Sequence, residues 1–236
     1  ERIHFEDGTA AGVAPGAPAG GFEHHFDSWP VEGTTALRLY YQPDGPCVNP
    51  AELLGKGDIE GAKKTQEEAA EHLRRDLGFV VRKLDTVGCE GINFDTSGSA
   101  GDADYLAALQ AVRDLKEELP HMPMILGASG EFVLGMHGSV EFDGKRLAGM
   151  YPHEQVKLAE KAGVTIFGPV VNTNTSESSP WNLSRAITFM KACCDVATIP
   201  IHVNMGMGVG AVTVNDHPPV DVVSRASKAM VEICRL

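Results

Sequence analysis

No run of apolar residues in this 236-residue chain approaches the roughly 20 needed to cross a bilayer, and no charged segment followed by an apolar one opens it. A membrane partner is not expected, and the chain reads as cytoplasmic. Basic residues are few: 20 Lys and Arg stand against 32 Asp and Glu, for a net charge of -12. Nucleic acid and anionic lipid draw their affinity from basic clusters, so both are excluded as expected partners. A neutral or cationic ligand is easier to accommodate. The five cysteines, Cys47, Cys89, Cys193, Cys194 and Cys234, form an odd set without C-x-x-C spacing, which indicates neither a disulfide framework nor a zinc ribbon.

Several catalytic signatures are also missing. There is no H-x-x-x-H pair, and His137 and His153 have no Cys nearby, so no metal site is expected. No G-x-S-x-G elbow occurs, and Cys193-Cys194 falls on a helix pattern, which argues against nucleophilic hydrolysis. No strand is followed by G-x-G-x-x-G at a helix start, and the GMGVGAV stretch after Asn204 resembles it only loosely. Lys145, Lys157 and Lys161 lie in hairpin and helix patterns, not at strand ends, which disfavours a lysine-dependent lyase.

What is present is a repeated layout. Five apolar runs end in small or polar residues: LRLYYQPDGP from Leu37, GINFDTSGSAGD from Gly91, PMILGASGE from Pro123, VTIFGPVVNTNTS from Val164 and IPIHVNMGMGVG from Ile199. From Asp95 to Asn204 the endings recur about every 35 residues with a helical pattern in each gap. This is the spacing of an α/β chain of TIM-type (β/α) barrel class. Such a barrel takes roughly 250 residues and eight strands, so about five βα units make it incomplete here. Residues 1–36, with a Gly/Ala/Pro run from Gly8 to Gly21, show no period that packs as helix or strand. The barrel domain is therefore expected over 37–236.

Local signals place the helices. Asn49-Pro50, Ser179-Pro180 and Pro218-Pro219 open helices. The positions Leu73, Leu77, Val80, Val81 and Leu84 keep a 3.6-residue period, and Leu106, Leu109, Val112 and Leu115 keep another that stops at Pro120. Asp143-Gly144 marks a hairpin inserted before a helix near His153, a candidate lid over the mouth.

Parallel barrel strands deliver their C-terminal residues to one face, which carries the chemistry. Asp95 ends an otherwise apolar strand and Glu131 opens the loop after the next. The two carboxylates are expected to converge, bind an alkylammonium and exchange its proton. The alternative is that Asp95 caps a turn and Glu131 caps a helix over 131–138. Thr96, Asn172, Thr173, Asn174 and Asn204 supply neutral donors and acceptors to orient substrate, although Asn is also an ordinary turn residue. Gly206, Gly208 and Gly210, beside Met205 and Met207, admit the close approach of a large planar cofactor.

The motifs FDTSGSAGDAD (Phe94 to Asp104), GEFVLGMHG (Gly130 to Gly138), FGPVVNTNTS (Phe167 to Ser176), WNLSRAITFMKA (Trp181 to Ala192), HVNMGMGVG (His202 to Gly210) and VSRASKAMVEI (Val223 to Ile233) together resemble the dimethylamine:corrinoid methyltransferases of methylotrophic methanogenesis. The resemblance implies a barrel enzyme that moves a methyl group from dimethylamine to the Co(I) corrinoid of a cognate corrinoid protein, releasing methylamine. No cofactor is then bound directly, because the corrinoid is carried by the partner and docks over the strand-end mouth. It also implies pyrrolysine on a strand just beyond the last residue of this chain, with Asp95 or Glu131 setting the protonation of the pyrrolysine-amine adduct. On that reading the sequence is a gene ended at an amber codon, a partial sequence or a shortened paralogue. The alternative function is a truncated, inactive homologue that keeps corrinoid-protein or subunit contacts. Unsealed strand edges predict a homo-oligomer in either case.

Overall fold

The computed structural model describes residues 4–6, 9–11, 36–169, 180–202 and 220–236. Two three-residue strands, β1 (His4–Glu6) and β2 (Thr9–Ala11), pair antiparallel near the N-terminus. This corrects the expectation of no strand in the opening segment: main-chain pairing between two short segments needs no hydrophobic period.

The first expected strand is also corrected. Ala36–Leu39 is a helical turn, α1, and its main chain continues with bonds from Tyr40 N–H to Leu37 O and from Tyr41 N–H to Arg38 O. Leu37 is fully buried, and Tyr41 makes only an isolated parallel bridge to Cys47. An apolar run this short has the same hydrophobicity in either conformation, and tertiary context decides between them.

The Asn49 side chain accepts from Ala51 N–H at 3.0 Å and starts α2 (Pro50–Gly55). Asp58 accepts from Gly61 N–H at 2.8 Å and starts the long α3 (Ile59–Thr86). Leu73, Leu77, Val81 and Leu84 on α3 face the core. β3 (Ile92–Ser97) follows, then α4 (Asp102–Glu118), whose Leu109, Val112 and Leu115 are buried. β4 (Met124–Ala128) leads into a long connection, the hairpin β5 (Glu141–Phe142) and β6 (Lys145–Arg146), and then α5 (Pro152–Ala162). β7 (Ile166–Gly168), α6 (Pro180–Cys194) and α7 (Val220–Ala229) complete the order. The last turn widens into a π-helix over Met230–Cys234, with Cys234 buried and Ile233 exposed.

Strands β3, β4 and β7 form one parallel sheet in sequential order, and a bridge from Phe167 to Ile201 extends it. The fold is mixed α/β, with a helix between successive parallel strands. No closed barrel is seen among the described residues. The register aligns Phe94, Leu126 and Phe167 in one row. All three are fully buried in the core they share with Leu109, Val112, Val156 and Leu158 of the helices.

The hairpin forms around Asp143-Gly144 as expected. However, Asp143 accepts from Arg113 at 2.7 Å, and the Arg113 guanidinium lies 3.9 Å from the Phe142 ring centroid. Arg113 is eleven residues into α4, ~16 Å along the helix axis from its start at the strand ends. The hairpin tip is thus fastened to the flank of α4 and is not a lid over the mouth.

Candidate active site

Side chains alternate across a strand. Because Phe94, Leu126 and Phe167 face the helices, the residues after them, Asp95, Gly127 and Gly168, face the opposite side of the sheet. The pairing of β3 with β4 steps from Phe94–Leu126 to Ser97–Ala128, so Asp95 and Thr96 together oppose the single residue Gly127. This is a β-bulge. Thr96 takes the left-handed backbone conformation it needs, with φ of 51°, and its N–H donates to Asp95 Oδ1 at 2.8 Å. Bulges re-aim side chains and are common beside active sites. Gly127 pairs with Gly168, so the two positions next to Asp95 along the sheet carry no side chain.

The half-buried Asp95 thus stands beside two glycine positions in the row across the sheet. The buried Thr96 hydroxyl has no hydrogen-bond partner among the described residues and lies at the same bulge. At the other end, His202 follows Ile201, and its N–H donates to Phe167 O at 2.8 Å. One step beyond the Phe167–Ile201 bridge, the register sets His202 beside Gly168. The row therefore reads Asp95, Gly127, Gly168, His202. The sequence reading missed His202, because its place depends on which strands pair.

Glu131 sits three residues beyond β4 at the same end of the sheet and forms an ion pair with Arg185 of α6. It does not cap a helix: residues 131–138 are a bent loop without helical structure, which corrects that alternative. The reason lies in Asp102. This fully buried carboxylate, at the start of α4, accepts from His137 N–H at 2.8 Å and Gly138 N–H at 2.7 Å, while its own N–H donates to Leu134 O at 2.8 Å. His137 Nε2 also meets Glu67 Oε1 at 2.9 Å. A Cβ on Gly101, whose φ is 103°, would lie 2.6 Å from the Met136 side chain. The loop after β4 is thereby tied to the loop after β3, and these tethers replace the helical main-chain bonds.

Asp104, also buried, accepts from Ala100 N–H at 3.1 Å and stabilises the β3–α4 loop from beneath. Burial pushes its carboxyl up from 3.8 to about 7, against the opposing pull of the Ala100 and Gly98 N–H groups. A carboxyl raised in the folded state stabilises the fold fully below its unfolded value, and that stability is lost as pH rises through the folded value. Urea unfolding is therefore expected to show stability falling between about pH 4 and pH 7 by an amount on the order of a few kcal/mol. Asp104→Asn should flatten that slope; an unchanged slope would refute the assignment.

Of the six residues expected in the site, Asp95 and Thr96 share the bulge and Glu131 lies beyond the neighbouring strand. Asn172, Asn174 and Asn204, like Thr173, lie outside the described residues. No described helix is long and apolar enough to cross a membrane.

In parallel α/β sheets the site characteristically lies at the carboxyl ends of the strands, the end at which the β3 bulge carries Asp95 and Thr96. A family profile described as dimethylamine methyltransferase (Dimeth_PyL) matches residues 32–236. The chain belongs to the dimethylamine methyltransferase family, and its class of activity is methyl transfer. No solved structure matches the chain.

Proposed function

We propose that the protein moves one methyl group of dimethylamine to the Co(I) corrinoid of a partner protein and releases methylamine, and that its site is the strand-end row beginning at Asp95. The carrying observation is the bulge that turns Asp95 toward Gly127 and Gly168. A complete (β/α) barrel is the architecture that this sequential parallel sheet best supports, with Asp95 inside its mouth.

The residues fit the amine. The Asp95 carboxylate attracts the cationic nitrogen, and a charge-assisted hydrogen bond to it orients the N–H groups. Gly127 and Gly168 add no side chain beside Asp95, which leaves room for two methyl groups. Thr96 offers a hydroxyl to the same nitrogen. Arg185 neutralises Glu131 at the rim. In the reaction the C–N bond breaks with its electron pair left on nitrogen, while the Co(I) pair forms the C–Co bond and the cobalt is formally oxidised to Co(III). Pyrrolysine, which the family carries, supplies an electrophilic carbon for the amine nitrogen. This chain's part is to hold the nitrogen, set its protonation and keep water from the methyl carbon. Asn172, Asn174 and Asn204 complete the substrate contacts in this reading. The protein is taken to act in the cytoplasm as a self-associating enzyme.

The test is turnover of ¹³C-dimethylamine with the corrinoid protein held in the Co(I) state. One labelled methylamine per methyl-cobalt is expected. Corrinoid methylation without methylamine release, or none at all, contradicts the proposal.

A further inference from the structure

Asp95 has a counterpart at the far end of the glycine row. Ile201, bridged to Phe167, packs against the buried cores on the helix side of the sheet. Its successor His202 must project to the opposite side, the side of Asp95. The main-chain bond from His202 N–H to Phe167 O at 2.8 Å fixes this residue at the strand end, not in a free loop. Along the row of the described strands, Gly127 and Gly168 stand between Asp95 and His202. A small amine seated on that row has Asp95 on one side and His202 on the other.

We infer that His202 is the residue that exchanges the substrate proton. The inference rests on the dimethylamine reading and adds to it. Histidine is the side chain whose ordinary titration falls near neutral pH, so it both accepts and returns a proton there. Dimethylamine enters as its ammonium. The neutral imidazole takes one N–H proton, which leaves the nitrogen lone pair available and the imidazolium beside it. After the C–N bond breaks, the imidazolium returns that proton to the departing methylamine nitrogen, and the histidine is neutral again. Proton and charge balance close over the cycle. Asp95 remains ionised throughout and stabilises first the ammonium, then the imidazolium. Among the described residues, the charged groups toward this end of the sheet include Glu131 with Arg185, and Asp102 and Asp104 at the start of α4. The last two bind main-chain N–H groups of loops, and the first two bind each other.

The test is calorimetric titration of the full chain with dimethylammonium chloride from pH 5 to pH 9, for the wild type, His202→Asn and His202→Gln. Once His202 is protonated, it repels the ammonium. Wild-type affinity should therefore fall about tenfold per pH unit below the titration point of His202. Either variant should bind with a flat profile through that range and tighter than wild type at the acid end. A variant that keeps the wild-type profile overturns the inference while leaving the amine site standing. A wild type that binds no dimethylammonium at any pH overturns the amine site and this inference with it. Should both variants fail to fold, the His202 imidazole resonance of the wild type decides: its titration must move when dimethylammonium is added, and an unmoved resonance refutes the role.

Discussion

Asp95→Asn should lower kcat/KM for dimethylamine at least about 100-fold, roughly 2.7 kcal/mol of transition-state stabilisation, with little change in melting temperature. The change is nearly isosteric. An amide oxygen still accepts from Thr96 N–H, the bond that Asp95 Oδ1 makes at 2.8 Å, so the bulge should survive. Only the charge that holds the cationic nitrogen is removed. Steady-state kinetics with the cognate corrinoid protein and a thermal melt check this directly. A variant within threefold of wild type would exclude Asp95 from the site. Asp95→Ala also removes the acceptor for Thr96 N–H, and should therefore lose stability as well as activity.

The adjacent position should behave in the opposite way. Phe94 is fully buried beside Leu126, in the row that continues to Phe167, on the helix side of the sheet. Phe94→Ala should cost about 3–5 kcal/mol through lost transfer energy and the cavity left behind. For a domain of this size that lowers Tm by roughly 6–20 °C. The fraction that remains folded should still bind dimethylammonium within about tenfold of wild type, because the removed ring faces away from the amine. Two neighbouring residues are thus expected to separate stability from function. If Phe94→Ala proved neutral in a urea titration, the assignment of the two sheet faces would be reversed, and the reading of Asp95 with it.

The parts of this fold that are legible in sequence are those determined within a few residues. Asn49 before Pro50 caps a helix because its side chain reaches Ala51 N–H. Asp143-Gly144 turns a hairpin because both residues accept positive φ. The long periods on α3 and α4 are read correctly because burial on one helix face repeats many times. What failed is shorter or less local. The run from Leu37 is apolar in either conformation, and folds as a helical turn instead of a strand. The segment 131–138 has the look of a helix start, yet Asp102, some thirty residues earlier in the chain, holds its backbone in a bent form.

The site follows the same division. Asp95 and Thr96 were recognisable as polar residues closing an apolar run. The bulge that turns them was not, since it is a property of how β3 pairs with β4. Glu131 was recognisable as a strand-end carboxylate, but its ion pair with Arg185 joins segments more than fifty residues apart. His202 entered the reading inside a strand-end run and a family motif, with no role of its own. Its place opposite Asp95 depends on the register of four strands, which no local pattern encodes. Asp102 and Asp104 enter the sequence reading only inside the FDTSGSAGDAD motif, whereas in the fold they tie down two loops at the strand ends.

The central claim is that dimethylammonium seats on the row from Asp95 across Gly127 and Gly168. The most direct measurement is an amide chemical-shift map of the isotopically labelled chain as dimethylammonium chloride is added. The account predicts the largest shifts at the Asp95, Thr96, Gly127 and Gly168 amides, lost in Asp95→Asn. Shifts confined to other surfaces, such as the arginine-lined groove between α3 and α4, or an equal map in Asp95→Asn, would contradict it.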